Sequence, residues 1–295
     1  MAIDVLPLHP LFAAEMRGVD LASATDPDLL ARIRDGMDRH AVLVFRDQSL
    51  DDRAQLDFAE RLDGRLHAKT GISVLAANRF GNEALTDVSN VDADGHLLPA
   101  DDRRRQYSLS NRLWHTDASF VDPPGRYSLL SARVVPPAGA DTEFADMRAA
   151  WDALPEDLKQ VCAPLRAHHS IAYSRETLGF SFSPEERERL RGVEQPLVRT
   201  NAATGRRSLY LASHASAIVG WPLAEGRLFL RDLTEHATQR DFVYRHAWRA
   251  GDLVIWDNRA TMHRATPFED KRYRRDLRRV TTLDVPRALP ADAPA

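Results

Sequence analysis

One cysteine, Cys162, in 295 residues excludes an intrachain disulfide and a thiolate metal cluster. No apolar run approaches the roughly 20 residues that a helix needs to cross a bilayer. The opening MAIDVLPLHPLF has no basic stretch followed by a long apolar run, so it does not resemble a secretory signal. An excess of charge of one sign is missing as well. With 40 basic and 43 acidic side chains the net charge is −3, which gives no general reason to expect nucleic acid or an anionic membrane as partner. A glycine-rich phosphate fingerprint is also lacking, and the strands near the C-terminus have no helices between them, which argues against a doubly wound parallel sheet. These absences leave an ordinary globular chain, 43% apolar and 28% charged, with the cytoplasm as its default location.

What is present is a mixture of periods. DPDLLARIRDGMDRH (26–40) spaces Leu29, Leu30, Ile33 and Met37 for a helix, and AVLVF (41–45) reads as a buried strand. Ser49 with Asp52 three residues on suggests a capping-box variant that starts a second helix through Leu56, Phe58, Ala59 and Leu62. From Gly64 to Tyr107 the periodicity fails, apart from a short strand pattern in LTDVSN (85–90), as expected of a lid or substrate loop. The clearest later helix spans about Pro222 to His236, and FVYRHAW, DLVIWD and RRVTTL read as strands. The last ten residues, 286–295, are rich in proline and alanine and are expected to fray. With no repeat and no linker, residues 1–295 read as one sheet-rich domain decorated by helices, with strands drawn from both ends of the chain.

The chemistry concentrates in LWHTDASF (113–120). On an extended segment, alternation points His115 and Asp117 the same way. Such a pair is either a buried hydrogen-bonded couple or two ligands of a metal. A third donor, His263, follows a turn at Asp257–Asn258 in DLVIWDNRATMHRA. Two imidazoles and one carboxylate suit iron(II) with open positions, although zinc accepts the same donors. Trp114 is expected to pack behind the ligand segment.

WHTDASF, PPAGADTEFADMRAAWDALP, EHATQRDFVYRHAW and GDLVIWDNRATMHRA together resemble the taurine dioxygenase and 2,4-dichlorophenoxyacetate dioxygenase family. The resemblance runs from PLHPLFAAEMRGVDL to RRDLRRVTTL and is nearest the 2,4-dichlorophenoxyacetate, or aryloxyalkanoate, branch. It implies a mainly β fold with helices: a double-stranded β-helix (jelly roll, cupin-like) with buttressing helices and a long active-site insertion. It further implies a homo-oligomeric enzyme using Fe(II), dioxygen and 2-oxoglutarate as cosubstrate, with His115, Asp117 and His263 as metal ligands and catalytic centre.

The resemblance also assigns the remaining roles. Arg275 and Thr142 match the positions that bind the far carboxylate of 2-oxoglutarate, and Arg279 matches the one that binds the substrate's acidic group. Strand alternation in KRYRRDLRRVTTL aims Arg275 and Arg279 at one face, and a register error would pass their roles to Arg274 and Arg278. Asn111, His67, Lys69 and His214 match further substrate-pocket positions, whereas Asn201 and Ala217 depart from histidines common in relatives. For an aryloxyalkanoate, hydroxylation beside the ether oxygen would release a phenol and glyoxylate alongside succinate and CO2. A sulfonate, alkyl sulfate or other carboxylic acid is the alternative substrate, and a non-catalytic cupin-like metal-binding protein is the alternative class.

Overall fold

The computed structural model describes residues 3–68 and 79–287. The first helix spans Pro27–His40. Asp26 accepts from the Asp28 N–H at its start, and Leu30, Ile33 and Met37 face inward. The second, Asp52–Asp63, is capped by Asp51 and not by Ser49: the Asp51 carboxylate accepts from the Ala54 N–H at 2.7 Å. A carboxylate at that place also complements the positive end of the helix dipole, which a serine hydroxyl does not.

Both helices cover one face of a seven-stranded sheet. Its order is Asp4–Pro7, Ala14–Arg17, Val42–Phe45, Leu253–Asp257, Gly125–Val134, Asp276–Leu283 and Leu85–Ser89. Alternation along the strands divides the core in two. Leu43, Phe45, Leu129, Leu253, Ile255 and Val280 pack with the helices. Their sequence neighbours Val42, Val44, Leu130, Val254 and Trp256, with Leu277, pack on the opposite face around Phe144. Phe144 belongs to a second, three-stranded sheet of Val243–His246, Thr142–Asp146 and Thr261–Ala265. The two facing sheets form the double-stranded β-helix. Phe144 and Trp256 are fully buried between them. At ~150–250 Å² each and ~25 cal/mol per Å², each contributes at most about 4–6 kcal/mol.

A third core lies behind the smaller sheet, where the helices Met147–Asp152 and Leu223–Ala237 meet Leu209, Leu211 and Met262. Cys162 fills this core, and burial pushes its thiol up to about 11. In the segment expected to be irregular, the short strand pattern in LTDVSN forms as Leu85–Ser89, the edge strand paired with Asp276–Val280, and Arg103–Ser108 is helical, which the sequence had not suggested. Lys69 lies outside the described residues. Of the tail expected to fray, residues 286 and 287 are described, and Arg287 donates to Asp63 at 2.6 Å.

Candidate active site

His115 and His263 are brought together by the backbone. The His115 N–H donates to the His263 carbonyl at 3.0 Å, and the His263 N–H donates back at 2.8 Å, an antiparallel bridge between two otherwise separate segments. Alternation holds for one step: Thr116 points away, donating to the Leu211 carbonyl at 2.9 Å. The chain then leaves the extended form, and a turn begins at Asp117. That turn lies against the Gly125–Val134 strand, where a Cβ on Gly125 would stand 3.1 Å from the Asp117 carbonyl oxygen. Glycine permits the approach.

The three side chains converge without hydrogen-bonding one another. His115 Nε2 stands 3.8 Å from Asp117 Oδ1, and His263 Nε2 stands 3.7 Å from Asp117 Oδ2. Both separations exceed a hydrogen bond, which removes the reading of a buried structural pair. They suit donors that straddle one ion at about 2.0–2.2 Å each. The donors are also held from behind. His115 Nδ1 lies 2.8 Å from the Leu113 carbonyl, which can only accept, so the proton is on Nδ1 and the Nε2 lone pair faces the site. His263 is wedged between the His115 and Trp256 rings, at 4.1 and 4.6 Å. Asp117 Oδ2 accepts from Ser128 Oγ at 2.8 Å, and its backbone N–H donates to Asn258 Oδ1. The same oxygen accepts from Trp256 Nε1, and the Asn258 amide donates to Ser128, closing the network. Asn258 is thus more than a turn residue.

Burial pushes the His115 imidazole down to about 4 against the opposing pull of Asp117, and His263 is lowered for the same main reason. Both rings are neutral at pH 7, as metal ligation requires. Burial raises the Asp117 carboxyl, but the charge of Arg279, with help from the Ser128 hydrogen bond, keeps the group ionised beside the neutral rings. Arg279 Nη1 donates to Asp117 Oδ1 at 2.5 Å. The donor set therefore fits a divalent first-row metal such as iron.

These residues open on a cavity of about 910 Å³, its mouth included. His67, Asn111, His214 and Arg279 line it with His115 and Asp117. Both ring nitrogens of His214 are engaged, Nδ1 with Ser119 Oγ at 3.2 Å and Nε2 with Arg175 at 3.0 Å. His214 therefore offers a ligand its ring and not a nitrogen. Tyr107, Phe120 and Ile171 form an apolar wall. Arg275 lines an adjoining cavity that shares Val88, Ser108 and Asn111 with the first. It is deeply buried, which pushes its guanidinium down to about 10.

Strand register settles which arginines face inward. Arg274 is exposed, and Arg278 turns to Asp276 and stacks on Phe80, 4.0 Å from the ring centre. Thr142 borders neither cavity. It is buried in the smaller sheet, where its Oγ1 accepts from Trp248 Nε1 at 3.0 Å and its strand pairs with Ala265. Thr266 lines the same cavity as Arg275, and its hydroxyl is buried with no hydrogen-bond partner among the described residues. Sequence reading missed Thr266 and Arg175, since neither falls in a spaced motif. Trp114 packs toward the third core beneath the Arg264 guanidinium, 4.6 Å from its ring, and away from the cavity. Asn201 lies in a different cleft, bonded to Asp38 at 2.8 Å.

Comparison with known proteins places this geometry. Residues 4–281 match the model of the taurine catabolism dioxygenase TauD, TfdA family. The alpha-ketoglutarate-dependent 2,4-dichlorophenoxyacetate dioxygenase of Cupriavidus pinatubonensis is 47% identical over 96% of this chain and 99% of its own length. The (S)-phenoxypropionate/alpha-ketoglutarate-dioxygenase of Sphingobium herbicidovorans is 36% identical, over 91% of each chain. The crystal structure of AAD-2 in complex with Mn(II) and N-oxalylglycine matches with a TM-score of 0.92 at 44% identity, covering 96% of this chain and 98% of that one.

Proposed function

This chain belongs to the taurine catabolism dioxygenase TauD, TfdA family, and from that premise we propose that its substrate is an aryloxyalkanoate, hydroxylated at the carbon beside the ether oxygen. The activity is that of an Fe(II)- and 2-oxoglutarate-dependent dioxygenase acting on a small acidic substrate, nearest the aryloxyalkanoate branch. The carrying observation is the convergence of His115, Asp117 and His263, not hydrogen-bonded to one another, with His115 and Asp117 lining a cavity that also holds Arg279 and the aromatic rings of Tyr107 and Phe120.

The roles follow from the chemistry of each group. His115, Asp117 and His263 would hold the iron. With 2-oxoglutarate and dioxygen, the metal supplies the oxidant that converts a C–H bond to C–OH while the keto acid becomes succinate and CO2. Arg275 would bind the far carboxylate of 2-oxoglutarate. Its burial with no acidic partner among the described residues suits that role, and Thr266, whose unpartnered hydroxyl lines the same cavity, is a better candidate helper than Thr142. Arg279 would receive the substrate's carboxylate beside Asp117, so that the α-carbon, one bond from that anchor, lies nearest the ligands. Tyr107, Phe120 and Ile171 would take the aryl ring and exclude water. His67 and Asn111 border the same space. The hydroxylated product is a hemiacetal, which collapses to a phenol and glyoxylate.

The test supplies Fe(II), 2-oxoglutarate, oxygen and 2,4-dichlorophenoxyacetate to the full chain. Phenol and succinate are expected in equal amounts. Succinate without phenol rejects ether cleavage, and sulfite released from a sulfonate would move the substrate to that class. The family resemblance also supports a homo-oligomer, and the single buried cysteine suits a reducing cytoplasm. Among the described residues no helix is long and apolar enough to cross a membrane. Sedimentation equilibrium tests the assembly.

A further inference from the structure

We propose that Arg175, on the short helix Ile171–Glu176, is a second anchor for the substrate's acidic group and, with Arg279, forms a two-arginine clamp across the cavity. This deepens the reading of an acidic aryloxy substrate and rests on it.

Arg175 is a buried cation without an anion. Only 8% of it is exposed, its Nε is buried with no hydrogen-bond partner, and no carboxylate among the described residues lies within ion-pairing distance. The two acids on the cavity wall are already engaged, Asp117 by Arg279 and Asp87 by Arg79. A buried arginine in that state is costly unless a ligand supplies the missing charge.

The guanidinium is also held in place. One face lies over the Tyr107 ring, 4.6 Å from its centre. Its Nη1 donates to His214 Nε2 at 3.0 Å. Because that nitrogen accepts, the His214 proton sits on Nδ1 and is donated to Ser119 Oγ. The serine hydroxyl can then donate to His169 Nδ1 at 2.9 Å. Burial and the neighbouring Arg175 both lower His214, which keeps it the neutral acceptor this chain needs. The relay takes up one edge of the guanidinium and leaves Nε without a partner. His214 is thus a positioning residue that acts through Arg175.

Charge division explains why two cations are useful. Arg279 shares its charge with Asp117, a candidate metal ligand, whereas Arg175 has no such partner. The two guanidiniums also repel one another. A substrate carboxylate placed between them relieves that repulsion and replaces water at both. A neutral isostere leaves both unpaired, so the clamp selects acids over amides and esters.

The experiment uses the full chain loaded with Fe(II) and 2-oxoglutarate in the absence of oxygen. Binding of 2,4-dichlorophenoxyacetate and of its carboxamide is measured calorimetrically for wild type, Arg175→Met and Arg175→Lys. Wild type should prefer the acid. Arg175→Met should weaken acid binding at least 30-fold while changing amide binding less than threefold, and Arg175→Lys should restore part of the preference. KM should rise for the acid and not for 2-oxoglutarate. Equal losses for acid and amide, or equal rises in both KM values, would assign Arg175 a structural role and overturn the proposal. If wild type takes a different acid, the aryloxy reading fails and the same acid-to-amide ratio decides the clamp on that compound. If it binds no acid at all, both readings fall.

Discussion

Two arginine-rich regions of this molecule line different cavities, and they use charge in opposite ways. In the cleft lined by Arg126, Arg199 and Arg259 every guanidinium has a carboxylate. Arg126 bonds Asp63 at 2.6 Å and Asp284 at 3.0 Å, Arg199 bonds Asp284 at 2.5 Å, and Arg259 bonds Asp257 at 2.7 Å. In the paired cavities near the triad, Arg175 and Arg275 are buried with no such partner among the described residues. The first region has the greater density of charge and the second has the site. A neutralised network ties the C-terminal residues to the sheet, while an unneutralised cation is free to answer an anionic ligand under the proposed function. The number of charges therefore says less about function than whether each is already answered.

Substitution should separate the two regions by the sign of their effect on stability. The largest change is expected at Asp63, which is almost completely buried and accepts from Arg126, Arg287 and Thr282. Asp63→Asn leaves buried cations underneutralised and should cost about 3–5 kcal/mol, lowering Tm by on the order of 10 °C. Thermal unfolding reads this directly, and an unchanged Tm would remove the structural role given to the paired cleft.

Arg275→Met should behave in the reverse manner. It removes a buried charge that no carboxylate among the described residues neutralises, so Tm should hold or rise. KM for 2-oxoglutarate should nevertheless increase about 30-fold or more, since a lost buried charge contact is worth about 2 kcal/mol or more. Steady-state kinetics at varied 2-oxoglutarate checks it. A fall in Tm with no change in KM would erase the contrast between the regions. The smallest effect belongs to Arg206→Gln at the rim of the paired cleft, where the Arg206–Asp152 pair at 2.8 Å is exposed on both sides. Denaturant unfolding should show a loss of no more than about 1 kcal/mol.

Much of this was legible in the sequence because it is periodic or local. The inward and outward faces of AVLVF and DLVIWD follow strand alternation, and the same rule separates Arg275 and Arg279 from their neighbours. His115 and Asp117 share a direction for the same reason, although a turn at Asp117 completes the arrangement. Other features had no local mark. Asp51 in place of Ser49 as helix cap depended on which acceptor met the Ala54 N–H. Thr142 faces Trp248, and Thr266 lines the cavity of Arg275, because of sheet packing that no spacing encodes.

The sequence by itself determined the residue chemistry: two imidazoles and a carboxylate able to bind a metal, a segment that places Arg275 and Arg279 on one face and Arg274 and Arg278 on the other, and a core divided by alternation. Tertiary structure decided which of those groups meet and which charges remain unanswered. Whether a guanidinium is neutralised depends on carboxylates within a few ångströms. At Asp63 and Arg126, 63 residues apart, and at Asp117 and Arg279, 162 residues apart, that distance is set by folding and not by order along the chain.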